Sequence, residues 1–350
     1  MTTDPHPGVR PDWLALRHED ALDPDQPIID AHHHLWDKAQ EHYTADEFLK
    51  DAETGHRIVG TVFVEGNTAH RTTGPAAFAP IGETEMATAE GSRAGVGATR
   101  VAAGIVARAD LLLGRDVGPV LDAHAAAAQG RFRGIRHSTP WHADPAARGS
   151  ALLSGPGLPY DPRFRDGLDE IRKRGLVFDA WMYHTQLGDL VDLAQAMPGL
   201  KIILNHVGGP IGIGPYEGRR SEVFADWSHW IGRLARFPNV GIKLSGLGMR
   251  LCGFGFSAQK MPPSSEELAR AWRPYIETSI EAFGAARSMF ASNFPVDKGS
   301  ASYAVVWNAF KRIASGAGID EREALFKGAA MKAYSLDIIV PEVKQGKLAG

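Results

Sequence analysis

"IIDAHHHLWD", residues 28 to 37, is an apolar run that ends in an aspartate and three consecutive histidines. Side chains alternate faces along a strand, so Asp30, His32 and His34 are expected on one face and Ala31 and His33 on the other. The segment reads as a buried strand whose C-terminal end is loaded with polar groups. What it implies for the fold depends on whether other strands end in the same way.

Seven further runs do resemble it: "RIVGTVFVE" (57–65), "RVAAGIVA" (100–107), "FRGIRH" (132–137), "LVFDAWMYH" (176–184), "KIILNH" (201–206), "NVGIKLSG" (239–246) and "SMFASNF" (288–294). Several are apolar on both faces, as parallel strands covered by helices are. Helical patterns lie between them at 116–130, 161–175, 187–199, 221–238 and 265–284. Ser221 and Ser265 stand where N-caps are expected, and Gly130, Gly175, Gly199 and Gly284 stand where helices stop. Eight strands alternating with helices fit an α/β (β/α)8 barrel better than a doubly wound sheet. The long Gly/Pro-rich stretches at 66–85, 137–162, 207–220 and 247–264 all follow strands, which puts the elaboration, and hence the site, on the C-terminal face of the barrel. The domain reading is an N-terminal extension (1–26), one barrel (27–335) and a C-terminal tail (336–350).

Bulk properties narrow the partners. A formal charge of -3, with acidic and basic residues interspersed, leaves no electrostatic footprint for nucleic acid or an anionic membrane, and a small molecule becomes the expected partner. The single cysteine, Cys252, excludes an intrachain disulfide and a multi-cysteine zinc site, and is read as a small packing residue rather than a nucleophile. The first twenty residues carry no apolar signal core, and no stretch of eighteen uncharged apolar residues occurs, so a cytoplasmic location is expected. Trp13 and Leu16 in the extension are read as wrapping a neighbouring surface, as in a homo-oligomer.

The chemistry collects at strand ends. Two imidazoles at i and i+2 can converge on one ion through neutral ring nitrogens, or can equally hydrogen-bond a loop. Other strands end in Glu65, Arg136 with His137, Tyr183 with His184, Asn205 with His206, Lys243 with Ser245, and Ser292 with Asn293. Glu65 in a buried strand needs a partner or a metal. Arg136 can fork an anion or clamp the barrel's own carboxylates, and Lys243 suits electrostatic binding better than a Schiff base. Trp36, Trp141, Trp181 and Tyr183 are candidates for an apolar wall.

"DAHHHLW", "GIRH", "LNHVGGP", "IKLSG" and "SNFPVD", in this order, resemble the amidohydrolase superfamily, in the branch of barrels that contains sugar lactonases and 2-pyrone-4,6-dicarboxylate lactonase. The likeness spans about 27–335 and is strongest to a subgroup marked here by "GTVFVEGN", "GETE" and "SNFPVD". It implies a hydrolase of cyclic esters that either holds one divalent metal, zinc, through His32, His34 and His184 or His206, or works without metal with these histidines as hydrogen-bond donors. It implies an anionic small-molecule substrate held by Arg136 and Lys243, with His137, Tyr183 and Trp36 at the same site. The strand-eight acid of the family is replaced by Asn293, which cannot take a proton near neutral pH. Three readings therefore stay open: Asp297 reaches back, Glu65 or a histidine such as His206 is the base, or the barrel binds a ligand without hydrolysing it. A metal-dependent decarboxylase of aromatic or unsaturated acids is the alternative enzyme.

Overall fold

The computed structural model describes residues 6–38, 41–94, 99–149 and 154–340 of the 350. Eight parallel strands form one sheet in chain order: β1 (Pro27–His33), β2 (Arg57–Val64), β3 (Arg100–Ala107), β4 (Phe132–Ile135), β5 (Val177–Ala180), β6 (Lys201–Leu204), β7 (Val240–Leu244) and β8 (Ser288–Phe290). The sheet closes at the C-terminal end of β1, where His34 N donates to Phe294 O and Asn293 N donates to His32 O, both at 2.8 Å. Helices Ala45–Ala52, Ile81–Arg93, Gly118–Ala127, Pro162–Lys173, Leu187–Ala196, Arg220–Leu234, Ser265–Phe283 and Tyr303–Ile313 follow the successive strands. The (β/α)8 barrel expected from the sequence is the fold. Among the described residues no helix is long and apolar enough to cross a membrane.

Sequence and structure differ at several element ends. The helix expected to start at Ser265 is capped one residue earlier by Ser264, whose hydroxyl accepts from Glu267 N. Ser221 caps nothing, since the helix Arg220–Leu234 begins before it. Strands β4, β5, β6 and β8 end before the polar residues expected to close them, and β7 contains Lys243 but ends before Ser245, because at the barrel mouth the chain bends away into loops.

β1 carries the largest departure. Asp30 pairs with Thr61 and His33 with Phe63, three steps on β1 against two on β2, which is a β-bulge. The strict alternation expected over Asp30, His32 and His34 therefore fails at Asp30. Ala31 joins the barrel interior with Ile29, Val62, Val64 and Met289, instead of facing the helices. Asp30 turns outward and accepts from Ser292 N (2.8 Å), Ser292 Oγ (2.5 Å) and Tyr303 OH (3.0 Å). Burial raises its carboxyl to about 6. His33 faces outward as expected, with its ring 4.4 Å from Phe48 and its Nε2 2.8 Å from Thr61 Oγ1.

The barrel's base is filled by the chain's last described residues. Tyr334, Leu336 and Ile338 pack into the interior, and a Cβ on Gly60 would overlap Ile338. Leu336 and Ile338, which the sequence reading assigned to the tail, are thus buried against the barrel, and 341–350 lie outside the described residues. Trp13 and Leu14 in the N-terminal extension are buried on their own chain rather than offered to a neighbour, while Leu16 is exposed.

Candidate active site

A cavity of about 820 Å³ opens at the C-terminal mouth of the barrel. Its walls include His34, Trp36, Glu65, Arg136, Trp181, His206 and Asn293. Its floor is the end of β1: His32, fully buried, lies with its ring 4.4 Å from His206 and its Nε2 3.2 Å from His34 Nε2. Trp36 stacks on His34 at 5.9 Å, and Trp181 sets an edge against His206 at 4.9 Å.

Beneath the histidines runs a buried polar layer. Asp179 accepts from Lys243 Nζ (2.6 Å), Tyr334 OH (2.7 Å) and Asn205 Nδ2 (3.1 Å). Lys243 Nζ also lies 3.3 Å from His32 Nδ1. An ammonium has only donors, so Lys243, paired with Asp179, donates to His32 Nδ1. His32 then carries its proton on Nε2 and donates to His34 Nε2, and His34 Nδ1 donates to Val64 O at 2.8 Å. This assignment satisfies the run from Lys243 to Val64 but sets Arg136 Nη1, also a donor, 3.4 Å from the protonated His32 Nε2. Burial and the nearby cations push all three imidazoles well below their ordinary value, so they are neutral at pH 7.

Arg136 forms one side of the cavity. Its Nε donates to Glu65 Oε1 at 2.6 Å, its Nη2 donates to the Glu65 carbonyl, and its Nη1 stands 3.4 Å from His32 Nε2. Glu65 is therefore the arginine's counter-ion, with Arg108 Nη1 3.9 Å from its other oxygen. Behind it Glu83 accepts from Gly66 N (2.6 Å) and Thr68 N (3.3 Å), pinning the loop after β2. Burial and the Glu65 charge raise Glu83 to about 8.

His206 and Asn293 both adopt left-handed backbone, φ 54° and 57°, a conformation costly for residues with a Cβ and common where a site is held under strain. His206 Nδ1 lies 3.0 Å from Ser245 Oγ, which leaves Nε2 for the cavity. Gly246 makes this possible, because a Cβ there would lie 2.6 Å from the His206 ring. Asn293 Nδ2 donates to Asp297 Oδ1 at 2.9 Å, and Gly248 N donates to Asp297 Oδ2 at 3.1 Å. Asp297 is buried behind the asparagine, with its carboxyl pushed up to about 7.

Lys243, expected to hold a substrate anion, is instead fully buried against Asp179 and outside the cavity wall, and three further residues grouped with the site by sequence are placed elsewhere. His184 Nδ1 accepts from Ile211 N (3.2 Å) and its ring edges Tyr216. His137 Nδ1 accepts from Leu111 N (3.1 Å), with its ring against Phe164. Tyr183 OH accepts from Gly149 N (2.9 Å). Each fastens a loop. Asp179 and Tyr334, conversely, received no role from sequence; the only signal was an aspartate inside the apolar run 176–184.

The donor set does not suit a divalent ion. The separation of the His32 and His34 Nε2 atoms would let one tetrahedral ion bridge them, but His32 has a cationic donor facing each ring nitrogen, Lys243 Nζ at Nδ1 and Arg136 Nη1 at Nε2. Glu65, Asp179 and Asp297 are each committed to other donors, and two cations border His32. Among the described residues no group of three or more His, Cys, Asp or Glu side chains is arranged to hold a metal.

Residues 29–336 match the family model described as amidohydrolase. The chain belongs to the amidohydrolase family. It is 35% identical over 332 residues to the uncharacterized protein y4mH of Sinorhizobium fredii, covering 89% of this amidohydrolase and 99% of that protein. It is 28% identical over 208 residues to the L-fucono-1,5-lactonase of Burkholderia multivorans, covering 59% and 64% of the two chains. Its fold is also that of a Burkholderia multivorans amidohydrolase crystallised with bound zinc, at 24% identity, a TM-score of 0.67, and 89% and 99% coverage. Membership of this family makes the chain a hydrolase.

Proposed function

We propose that this amidohydrolase opens lactone rings by attack of a water that His206 deprotonates. The observation that carries the reading is a neutral imidazole whose Nε2 is left to the same cavity that Arg136 lines. The partial likeness to an L-fucono-1,5-lactonase supports a sugar-acid lactone as the substrate class.

In the proposed reaction His206 Nε2 takes a proton from water as the oxygen adds to the lactone carbonyl carbon. Arg136 stabilises the charge that develops on the carbonyl oxygen. The ring C–O bond then breaks, and the imidazolium returns its proton to the leaving alkoxide. Asn293, with its amide nitrogen held by Asp297, has its carbonyl oxygen to orient the water, a positioning task that needs no titration. Trp36 and Trp181 offer apolar faces for the sugar ring. No step is routed through a metal.

The test is a panel of sugar lactones and hydroxybenzoates followed both by acid release and by carbon dioxide. Ring opening yields one acid per turnover, and His206→Asn is expected to lower kcat by about 10²–10⁴-fold with KM little changed. Carbon dioxide release would instead establish the decarboxylase alternative. Tight lactone binding without turnover would make this a ligand-binding barrel.

A further inference from the structure

The cavity wall is not made by the barrel alone. His6, Pro7, Gly8, Val9 and Pro11 line it, facing the same space as His34 and His206. The family match begins at residue 29, so this wall lies outside the span matched as the family's barrel. Three anchors fasten it to the long loop after β7: Arg10 Nη2 donates to Ser257 O, Trp13 Nε1 to Gln259 O (3.0 Å) and Arg17 Nε to Pro262 O (3.2 Å). The Arg10 guanidinium lies over the buried Trp13 ring at 4.2 Å, and Glu19 accepts from Ser265 N at 2.8 Å further along. On the cavity side the fit is backbone to backbone: a Cβ on Gly299 would overlap the carbonyl oxygen of Pro7. An arm held by a buried indole at one end and by a glycine contact at the other is a fixed part of the pocket. His6 is close enough to His34 and His206 to depress both imidazoles.

We propose that residues 6–11 are a specificity-determining wall that limits the size of molecule admitted to the active site. In the lactonase reading, on which only the substrate arm of this inference rests, the wall restricts the enzyme to single-ring lactones and excludes those carrying a second sugar or an aryl group.

The decisive experiment first avoids turnover. A reporter thiol is placed in the cavity by Ser138→Cys, and its reaction rates with a small methanethiosulfonate and a bulky fluorescein maleimide are compared with and without residues 2–9. This deletion leaves the Arg10 and Trp13 anchors in place. The bulky reagent's rate relative to the small one should rise by roughly tenfold or more on deletion, and Gly299→Ala, which pushes Pro7 away without shortening the chain, should move it in the same direction. An unchanged ratio in both variants, with Tm preserved, overturns the proposal. If Ser138→Cys does not fold, carbethoxylation of His206, whose Nε2 is left to the cavity, replaces it in the natural chain, read by mass spectrometry; equal rates with and without the arm overturn the wall. In the substrate arm, the kcat/KM ratio of disaccharide-derived to single-ring lactones should rise with the deletion, and an unmoved ratio overturns the specificity role. Absence of any lactone turnover in either protein defeats the lactonase reading, while the thiol ratio still decides the wall.

Discussion

At the residue scale, Asn293, which cannot itself take a proton near neutral pH, has a carboxyl directly behind it. Asp297 stands behind the asparagine, buried and hydrogen-bonded to it. Its carboxyl sits at about 7, far above the value of an exposed aspartate, because burial outweighs the two hydrogen bonds it accepts. The folded chain therefore keeps a proton that the unfolded chain releases near pH 4, so stability drains away as pH rises from about 4 to about 7 and levels off above. Asp297→Asn imitates the protonated acid and removes this dependence. Urea unfolding of parent and variant across that range should give a stability difference that moves in favour of the variant as pH rises, with no further change above pH 8. The activity profile should behave differently. The His206 imidazole is depressed well below its ordinary value, so the base stays unprotonated and kcat stays flat as pH falls from 8 to 6. A rate that halves near 6.5 would point to an exposed histidine instead.

At the element scale, the bulge in β1 separates two tasks within three residues. His33 packs outward on Phe48 of the first helix after the strand, whereas His32 faces the polar layer and the other site histidines. His33→Ala is expected to cost about 2 kcal/mol or more in urea unfolding, since it empties a buried site, while leaving kcat within about twofold. His32→Ala should do the reverse in kind: it strands Lys243 and His34 without their shared partner and lowers turnover more than stability accounts for. Equal losses of activity in both variants would contradict the facing assigned here. The asymmetry of the loops follows the same logic. Loops after strands carry Trp36, Glu65, Arg136, Trp181, His206 and Asn293 to one end of the barrel, and the other end is sealed by Tyr334, Leu336 and Ile338.

At the scale of the whole molecule, the site is a neutral-histidine and cation cluster over a buried Lys243–Asp179–Tyr334 layer. Burying an ion pair is expensive, and Lys243 and Asp179 are fully buried, so the layer is stable only while each remains partnered. Its consequence for cofactor use is direct. Elemental analysis of protein prepared without chelator should find no stoichiometric metal, and prolonged dialysis against a chelator should leave kcat unchanged. A stoichiometric zinc lost in parallel with activity would show that the cations release His32 and that this hydrogen-bonded arrangement is not the working state.

The sequence by itself determined the barrel, the end of it at which the candidate site lies, and most of the residues gathered there. Strand patterns, glycine stops and the positions of polar strand ends are local properties of the chain, and local periodicity records them. His32, His34, Glu65, Arg136, His206 and Asn293 were all legible in this way, as was the outward turn of His33. Tertiary structure alone decided what those residues do. The bulge arises from pairing β1 with β2, so alternation could not place Asp30 and Ala31 correctly. Lys243 sits 211 positions from His32 in the chain and Arg136 sits 104, yet together they set a cationic donor against each nitrogen of that ring, which bears on whether the histidines can share an ion. His184, His137 and Tyr183 end or follow strands like the others, but backbone N–H groups of neighbouring loops claim their side chains. The arm at 6–11 reaches the cavity only because Trp13 and Gly299 give it a place to lie, a fit between segments nearly three hundred residues apart that no local pattern encodes.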